Sequence, residues 1–328
     1  MKSELATKLY GVDLFSEPIR EKVSGLVASR FGFPPFSVLD ARSGDWQRRK
    51  RAWISIGIRG EIGRGFVRPH GKDTRPVGYN WNTEYTGGDC WRGSNSNDNA
   101  ASVFDPVLCE CMYRWFVPSG GQVVDPFAGG SVRGIVAGCL GLKYWGCDLR
   151  QEQVDANYEQ GKKIELSILP NWVCGDSLET LPSAPETDFL FTCPPYGDLE
   201  RYSDNPRDLS TMERNTFETI YSQIIFKAIQ RLKSNRFVCF VVGDFRDKRG
   251  YYRDFVSTTI AAFRNAKCEL YNEAILVTSI GSGSMRVTKQ FTKQFEASRK
   301  FVKTHQNVLI FCKGDWRQAM AAINEWLK

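Results

Sequence analysis

The chain has 328 residues, with 44 Lys and Arg against 37 Asp and Glu for a formal net charge of +7. Its 42% hydrophobic, 25% charged and 13% aromatic residues suit one or two globular domains and exclude a disordered, collagen-like or disulfide-scaffold chain. No run reaches the roughly 18 apolar residues of a membrane span, and the opening MKSELATKLYGVDLF lacks an export signal's apolar core, so a cytoplasmic protein is expected.

Residues 1–70 read as mixed and mostly helical, with a helix from Glu17 to Arg30 and a break at Phe31-Gly-Phe-Pro-Pro35. Residues 71–98 are rich in Gly, Asn, Asp, Thr and Ser without sustained period, and read as a long loop or linker. From about residue 100, short apolar runs alternate with helical stretches. Strands are expected at Gln122–Val124, Tyr144–Cys147, Trp172–Cys174, Asp188–Phe191, Phe237–Val242, Ala274–Thr278 and Asn307–Phe311. Helices are expected at Ser131–Leu140, Glu152–Ile164, Asn215–Leu232 and Tyr252–Asn265. This alternation predicts an α/β fold, a seven-stranded mostly parallel sheet with helices on both faces. It would occupy residues 99–328, with residues 1–98 as a basic N-terminal region and linker.

The charge is unevenly placed. Residues 42–75 hold ten Lys or Arg, among them Arg48, Arg49, Lys50 and Arg51, against three acids. Residues 281–305 hold six, including Arg286, Lys289 and Lys293, against Glu296 alone. Aromatic residues interleave with or follow the first patch (Trp46, Trp53, Phe66, Tyr79, Trp81, Tyr85, Trp91), as a surface that stacks on bases requires. A solvated basic face is the plainer reading of either patch alone; the two together point to a polyanion partner.

Ten cysteines and two histidines include no CxxC pair and no zinc-ligand spacing, so no metal is expected. Several thiols interrupt apolar runs and read as small core residues.

Two segments carry chemistry. The first, Val123-Val-Asp-Pro-Phe-Ala-Gly-Gly-Ser131, joins a strand to a helix through a glycine turn, where the backbone comes close to a ligand and helix N–H groups lie open. Asp148, with Leu149, ends the next strand, where a carboxylate accepts both hydroxyls of a ribose; Asp176, with Ser177, follows the third and suits an adenine edge. The segment lacks the G-x-G-x-x-G fingerprint, which disfavours NAD. The second, Thr192-Cys-Pro-Pro-Tyr196, ends the fourth strand in a turn whose prolines fix φ and remove donors. Such a turn offers acceptors to an exocyclic amine, followed at once by a ring that stacks on an extruded base.

The Asp-Pro-Phe-x-Gly-Gly form resembles motif I, and Cys-Pro-Pro-Tyr resembles motif IV, of S-adenosylmethionine-dependent DNA amino-methyltransferases of the adenine-N6 and cytosine-N4 type found in phages and bacteria. The resemblance covers roughly residues 100–314. It implies a Rossmann-like methyltransferase fold and S-adenosyl-L-methionine as cofactor. Asp125, Phe127, Ala128, Gly129 and Gly130 would surround its methionine half, Asp148 and Leu149 its ribose, and Asp176 and Ser177 its adenine. Ser102 and Phe104 sit where such enzymes carry a further methionine-contacting segment. Cys193, Pro194, Pro195 and Tyr196 would form the catalytic turn, with a thiol in place of the family's Asp, Asn or Ser. Thr192 and the small residue 193 lean towards the cytosine form, whereas the motif order does not.

A covalent cytosine-C5 mechanism is rejected, because no Pro precedes Cys193 and no Glu-Asn-Val follows. Residues 34–51 resemble a segment that accompanies such methylases. With no large block left after the motifs to read sequence, residues 1–98, Arg201 and the loop 281–305 become the candidates for contacting double-stranded DNA. The expected function is site-specific DNA modification, as in restriction-modification. The rivals are an RNA base amino-methyltransferase and an inactive cofactor- and DNA-binding protein.

Overall fold

Apolar alternation builds the centre of the molecule. In the computed structural model, which describes residues 33–59, 62, 68–69, 104–164, 166, 168–197, 200–247, 249–278, 295–301 and 303–324, consecutive residues of the central strands feed opposite layers. Val123, Phe189, Phe191, Phe237, Cys239 and Val241 face one core, while Val124, Leu190, Val238, Phe240 and Val242 face the other. A strand buried on both faces reads as a continuous apolar run, which is why these strands stood out in the sequence.

Among the described residues the strands of the main sheet are β1 (Val38–Asp40), β2 (Gln122–Asp125), β3 (Lys143–Asp148), β4 (Asn171–Cys174), β5 (Thr187–Thr192), β6 (Leu232–Val242), β7 (Glu269–Val277) and β8 (His305–Lys313). They form one sheet in the order β1-β7-β8-β6-β5-β2-β3-β4. β2 pairs in parallel with both β3 and β5, so the strand order reverses beside β2. β8 runs antiparallel between β6 and β7. This order with its reversed strand is a Rossmann-like α/β sheet, as the sequence led us to expect. All seven expected strands are present, each lengthened by one to five residues at one end or both, and the strand expected at Ala274–Thr278 ends one residue early at Val277.

The described helices of eight residues or more are α1 (Gly44–Ser55), α2 (Pro106–Phe116), α3 (Val132–Cys139), α4 (Gln151–Lys163), α5 (Arg214–Arg231), α6 (Phe255–Asn265) and α7 (Trp316–Asn324). Helices α1 to α4 and α7 cover one face of the sheet, α5 and α6 the other. Asp105 caps α2 by accepting from the N–H groups of Val107 and Leu108, with Pro106 at the first helical position. α6 starts at Phe255 rather than at Tyr252, because Tyr252 bridges back to Arg246 and Asp254 adopts a left-handed conformation (φ 57°).

The N-terminal region departs from expectation. β1 adds an eighth strand, parallel to β7, and α1 packs Trp46 and Trp53, both at most 2% exposed, into the core. Each ring takes on the order of 200 Å² out of water, about 5 kcal/mol of transfer free energy. Arg49 of α1 forms a buried ion pair with Glu110 of α2, at 2.5 Å, and the Trp53 indole donates to the same carboxylate at 2.6 Å. Residues 38–55 are therefore part of the sheet and core, and the division expected at residue 98 does not hold for them. Trp46 and Trp53 are core rings, not stacking surfaces. The expected helix 17–30, the loop 71–98 and the remaining interleaved aromatics lie outside the described residues. No described helix is long and apolar enough to cross a membrane.

Candidate active site

In an open α/β sheet, ligands bind beyond the carboxyl ends of the strands where the order reverses. Here those ends open into a cavity of about 510 Å³. Its lining brings together Phe104, Phe127, Ala128, Gly129, Asp148, Leu149, Asp176, Ser177, Cys193, Pro194, Pro195 and Tyr196. Two segments 68 residues apart in sequence meet because β2 and β5 are neighbours.

The glycine loop is held from behind. Asp125, wholly buried, accepts from the Arg133 guanidinium at 2.6 Å, the Tyr144 hydroxyl at 2.7 Å and the Thr192 hydroxyl at 2.5 Å. Arg133 donates onward to the carbonyls of Phe127 and Ala128 at 2.7 and 2.9 Å. Burial alone would lower the pKa of Arg133; Asp125 outweighs it and holds the guanidinium above its ordinary value. Asp125 and Gly130 are buried beside the residues that line the cavity and are not themselves part of its lining. Gly129 does line it, with φ +50° and open space where a Cβ would stand.

At the next two strand ends, the Gly175 N–H donates to the Asp148 carbonyl at 2.9 Å, which fixes the two carboxylate-bearing turns side by side. One oxygen of Asp148 accepts from the Arg150 N–H and one of Asp176 from the Leu178 N–H, so each carboxylate is oriented by its own turn. The Ser177 hydroxyl donates to the Pro126 carbonyl at 2.6 Å and so braces the glycine loop.

On the opposite wall, the Cys193 thiol lies 3.6 Å from the Tyr196 hydroxyl, which accepts from the Gln306 amide at 2.8 Å. The Tyr196 ring packs against Phe245 and edge-on against Phe255, with centroids 6.2 and 5.9 Å away. Burial, and then Cys193, push the phenol well above its ordinary pKa, so it stays protonated at neutral pH.

Sequence reading missed several lining residues. Lys303, His305 and Gln306 reach the cavity because β8 is reversed, which puts its start beside the ends of the parallel strands. His305 lines the cavity, and burial followed by Lys303 pushes its imidazole below the usual range, towards the neutral form at pH 7. Asp244 and Phe245 follow β6 and also line the cavity. Gln47 and Lys50 enter from α1, with Lys50 bound to Asp105 at 3.2 Å.

The nucleic-acid candidates separate. Arg49 is 5% exposed and consumed by Glu110, which removes it from any DNA surface. Arg48 is exposed and pairs with Asp45, Arg51 is exposed, and Arg201 pairs with Asp204. Lys50 faces the cavity. Ser102, Arg286, Lys289 and Lys293 lie outside the described residues. Among the described residues no group of three His, Cys, Asp or Glu is placed to hold a metal ion.

No protein-family model matches the chain. No curated protein matches it either. Among solved structures it is similar to TrmN from Thermus thermophilus, at 16% identity and a TM-score of 0.43 over 64% of this chain and 49% of that one. It is also similar to a methyltransferase from Pyrococcus furiosus, at 13% identity and a TM-score of 0.42 over 65% of this chain and 85% of the other. A third is magnesium protoporphyrin IX methyltransferase from Synechocystis, at 11% identity and a TM-score of 0.41 over 64% and 79%. The chain spans about half the length of the Thermus protein.

Proposed function

We propose that the chain is an S-adenosylmethionine-dependent methyltransferase acting on an exocyclic amine of a DNA base, cytosine-N4 or adenine-N6. The observation that carries this reading is that one cavity has strand-end carboxylates Asp148 and Asp176 on one side and the Cys193-Pro194-Pro195-Tyr196 turn on the other.

The residues fit the cofactor. The volume is within the usual range for small-molecule sites, two oriented carboxylates stand where hydroxyls and an amine would need acceptors, and the space over Gly129 admits a ligand against the backbone. When bound, S-adenosylmethionine supplies an electrophilic methyl group on a sulfonium. The rest of the work belongs to the chain. The Pro194 carbonyl and Cys193 would accept the amine's N–H groups and turn its lone pair towards the reacting carbon. Tyr196 would face the extruded base, its hydroxyl kept in place by Gln306. A thiol is a weak hydrogen-bond partner, so Cys193 would orient the amine less firmly than a carboxylate.

Radiolabelled S-adenosylmethionine offered with equal amounts of single-stranded DNA, double-stranded DNA and RNA tests the substrate class. Label in DNA is expected. Label in RNA alone would move the substrate to the sister class, and no label in any of them would overturn the enzyme reading.

A further inference from the structure

Among the described residues, the loop between β6 and α6 does not line the cavity beyond Gly243, Asp244 and Phe245. It runs from Phe245, which lines the cavity and packs on Tyr196, out into solvent and back to α6. Its framework is closed without any ligand. The Asp247 carboxylate accepts from the N–H groups of Arg249 and Tyr251, both at 3.0 Å, while the Asp247 N–H donates to the Tyr251 carbonyl at 2.8 Å. Arg246 bridges Tyr252, and the Arg253 N–H donates to the Phe245 carbonyl at 2.9 Å.

This closed loop exposes two adjacent aromatic rings. Tyr251 is 69% and Tyr252 46% exposed. One exposed tyrosine is unremarkable on any surface. Here each ring carries a guanidinium, Arg246 at 3.9 Å over Tyr252 and Arg249 at 5.8 Å over Tyr251. Lys300 reaches across to Gly250, where its ammonium occupies the space a Cβ would take, and Lys303 lies over Gly243 at the cavity wall. The described part of the second basic patch thus runs along this loop towards the site. The neighbouring carboxylates are committed elsewhere: Asp247 to its own turn and Arg249, Asp254 to the Ser257 hydroxyl, Asp244 to the Val256 N–H.

We infer that residues 245–247 and 249–253 form a stacking platform that grips the DNA strand beside the extruded base, with Tyr251 and Tyr252 stacking on flanking bases and Arg246, Arg249 and Lys300 on phosphates. This rests on the nucleic-acid reading above and adds the element that holds the strand. Exposed rings interleaved with cations are what single-strand binding requires. A loop already ordered loses little conformational entropy on docking. Phe245 ties the platform to Tyr196, so flanking bases and target base are set in one frame.

The test is fluorescence anisotropy with fluorescein-labelled random-sequence DNA, single- and double-stranded, on the full chain across a salt series. Tyr251→Ala/Tyr252→Ala is expected to weaken binding about tenfold or more, with the salt slope unchanged. Tyr251→Phe/Tyr252→Phe keeps the rings and is expected to bind like the unmodified chain. Arg246→Ala/Arg249→Ala/Lys300→Ala is expected to flatten the plot of log affinity against log salt by about 2 or more. Calorimetric binding of S-adenosylmethionine is expected to be the same in all of them. Intact DNA binding in the Ala variants overturns this platform alone. If the unmodified chain binds S-adenosylmethionine but no DNA, both this inference and the DNA reading fall.

Discussion

Arg133 and Asp125 form a buried ion pair at 2.6 Å that joins the back of the glycine loop to the end of β5. The link to β5 runs through the second Asp125 oxygen, which accepts from Thr192, the residue immediately before Cys193. One carboxylate therefore ties both halves of the cavity together from behind. Removing one member of such a pair leaves an uncompensated charge, which costs about 3–5 kcal/mol. Asp125→Ala and Arg133→Met are each expected to lose that much in urea unfolding. The double variant is expected to lose less than their sum, because no orphaned charge remains.

The Arg49–Glu110 pair makes a different prediction, on pH. Burial alone would raise the Glu110 carboxyl above its ordinary value of 4.5, but Arg49, Arg114 and Trp53 hold it lower. A carboxylate with a depressed folded pKa contributes stability that is complete above the unfolded value and lost as pH falls through the folded one. Glu110→Gln is therefore expected to destabilise the protein at pH 7 and to flatten the acid limb of stability below about pH 4.5. Arg49→Met is expected to destabilise it while leaving the salt slope of DNA binding untouched, which separates Arg49 from the exposed Arg51.

At the catalytic turn the thiol and the ring are expected to differ in weight. A hydrogen bond to a neutral thiol contributes about 1 kcal/mol or less, so Cys193→Ala is expected to lower kcat by no more than about tenfold, and Cys193→Ser to retain or exceed the native rate. Tyr196→Ala removes a stacking ring and is expected to cost more, tenfold or beyond in kcat/KM. Tyr196→Phe keeps the ring and loses the Gln306 bond, so a small effect is expected. Single-turnover rates on DNA decide each case, and full activity in Cys193→Ala would show that the thiol does not orient the amine.

Asp148→Ala is expected to weaken S-adenosylmethionine binding about 10- to 100-fold, the value of hydrogen bonds to a charged acceptor, with thermal stability little changed. Titration calorimetry and a melting curve separate the two effects. A large fall in Tm with unchanged affinity would make Asp148 a structural residue of its turn.

Much of this was legible in the sequence, for identifiable reasons. The central strands are apolar on both faces, and Gly-Gly and Pro-Pro turns mark the ends of β2 and β5, so both walls of the cavity were visible as local patterns. What stayed hidden depends on tertiary pairing. Nothing local tells Arg49, paired 61 residues away, from the exposed Arg48 beside it. Trp46 and Trp53 looked like stacking rings because they sit in a basic run, yet they lie on the buried side of α1. β1 is three residues long, too short for alternation to show. Lys303 precedes β8 and His305 and Gln306 begin it, and only its reversal in the sheet brings that end to the site. The aromatic loop after β6 has no periodicity, and its ordering comes from the Asp247 turn.

Mass spectrometry of nucleosides from DNA incubated with the protein and methyl-deuterated S-adenosylmethionine tests the central claim most directly. The expected product is deuterated N4-methylcytosine or N6-methyladenine, formed at least about tenfold more slowly when Tyr196 is replaced by Ala. A deuterated C5-methylcytosine, or unlabelled DNA under conditions where the cofactor demonstrably binds, would contradict it.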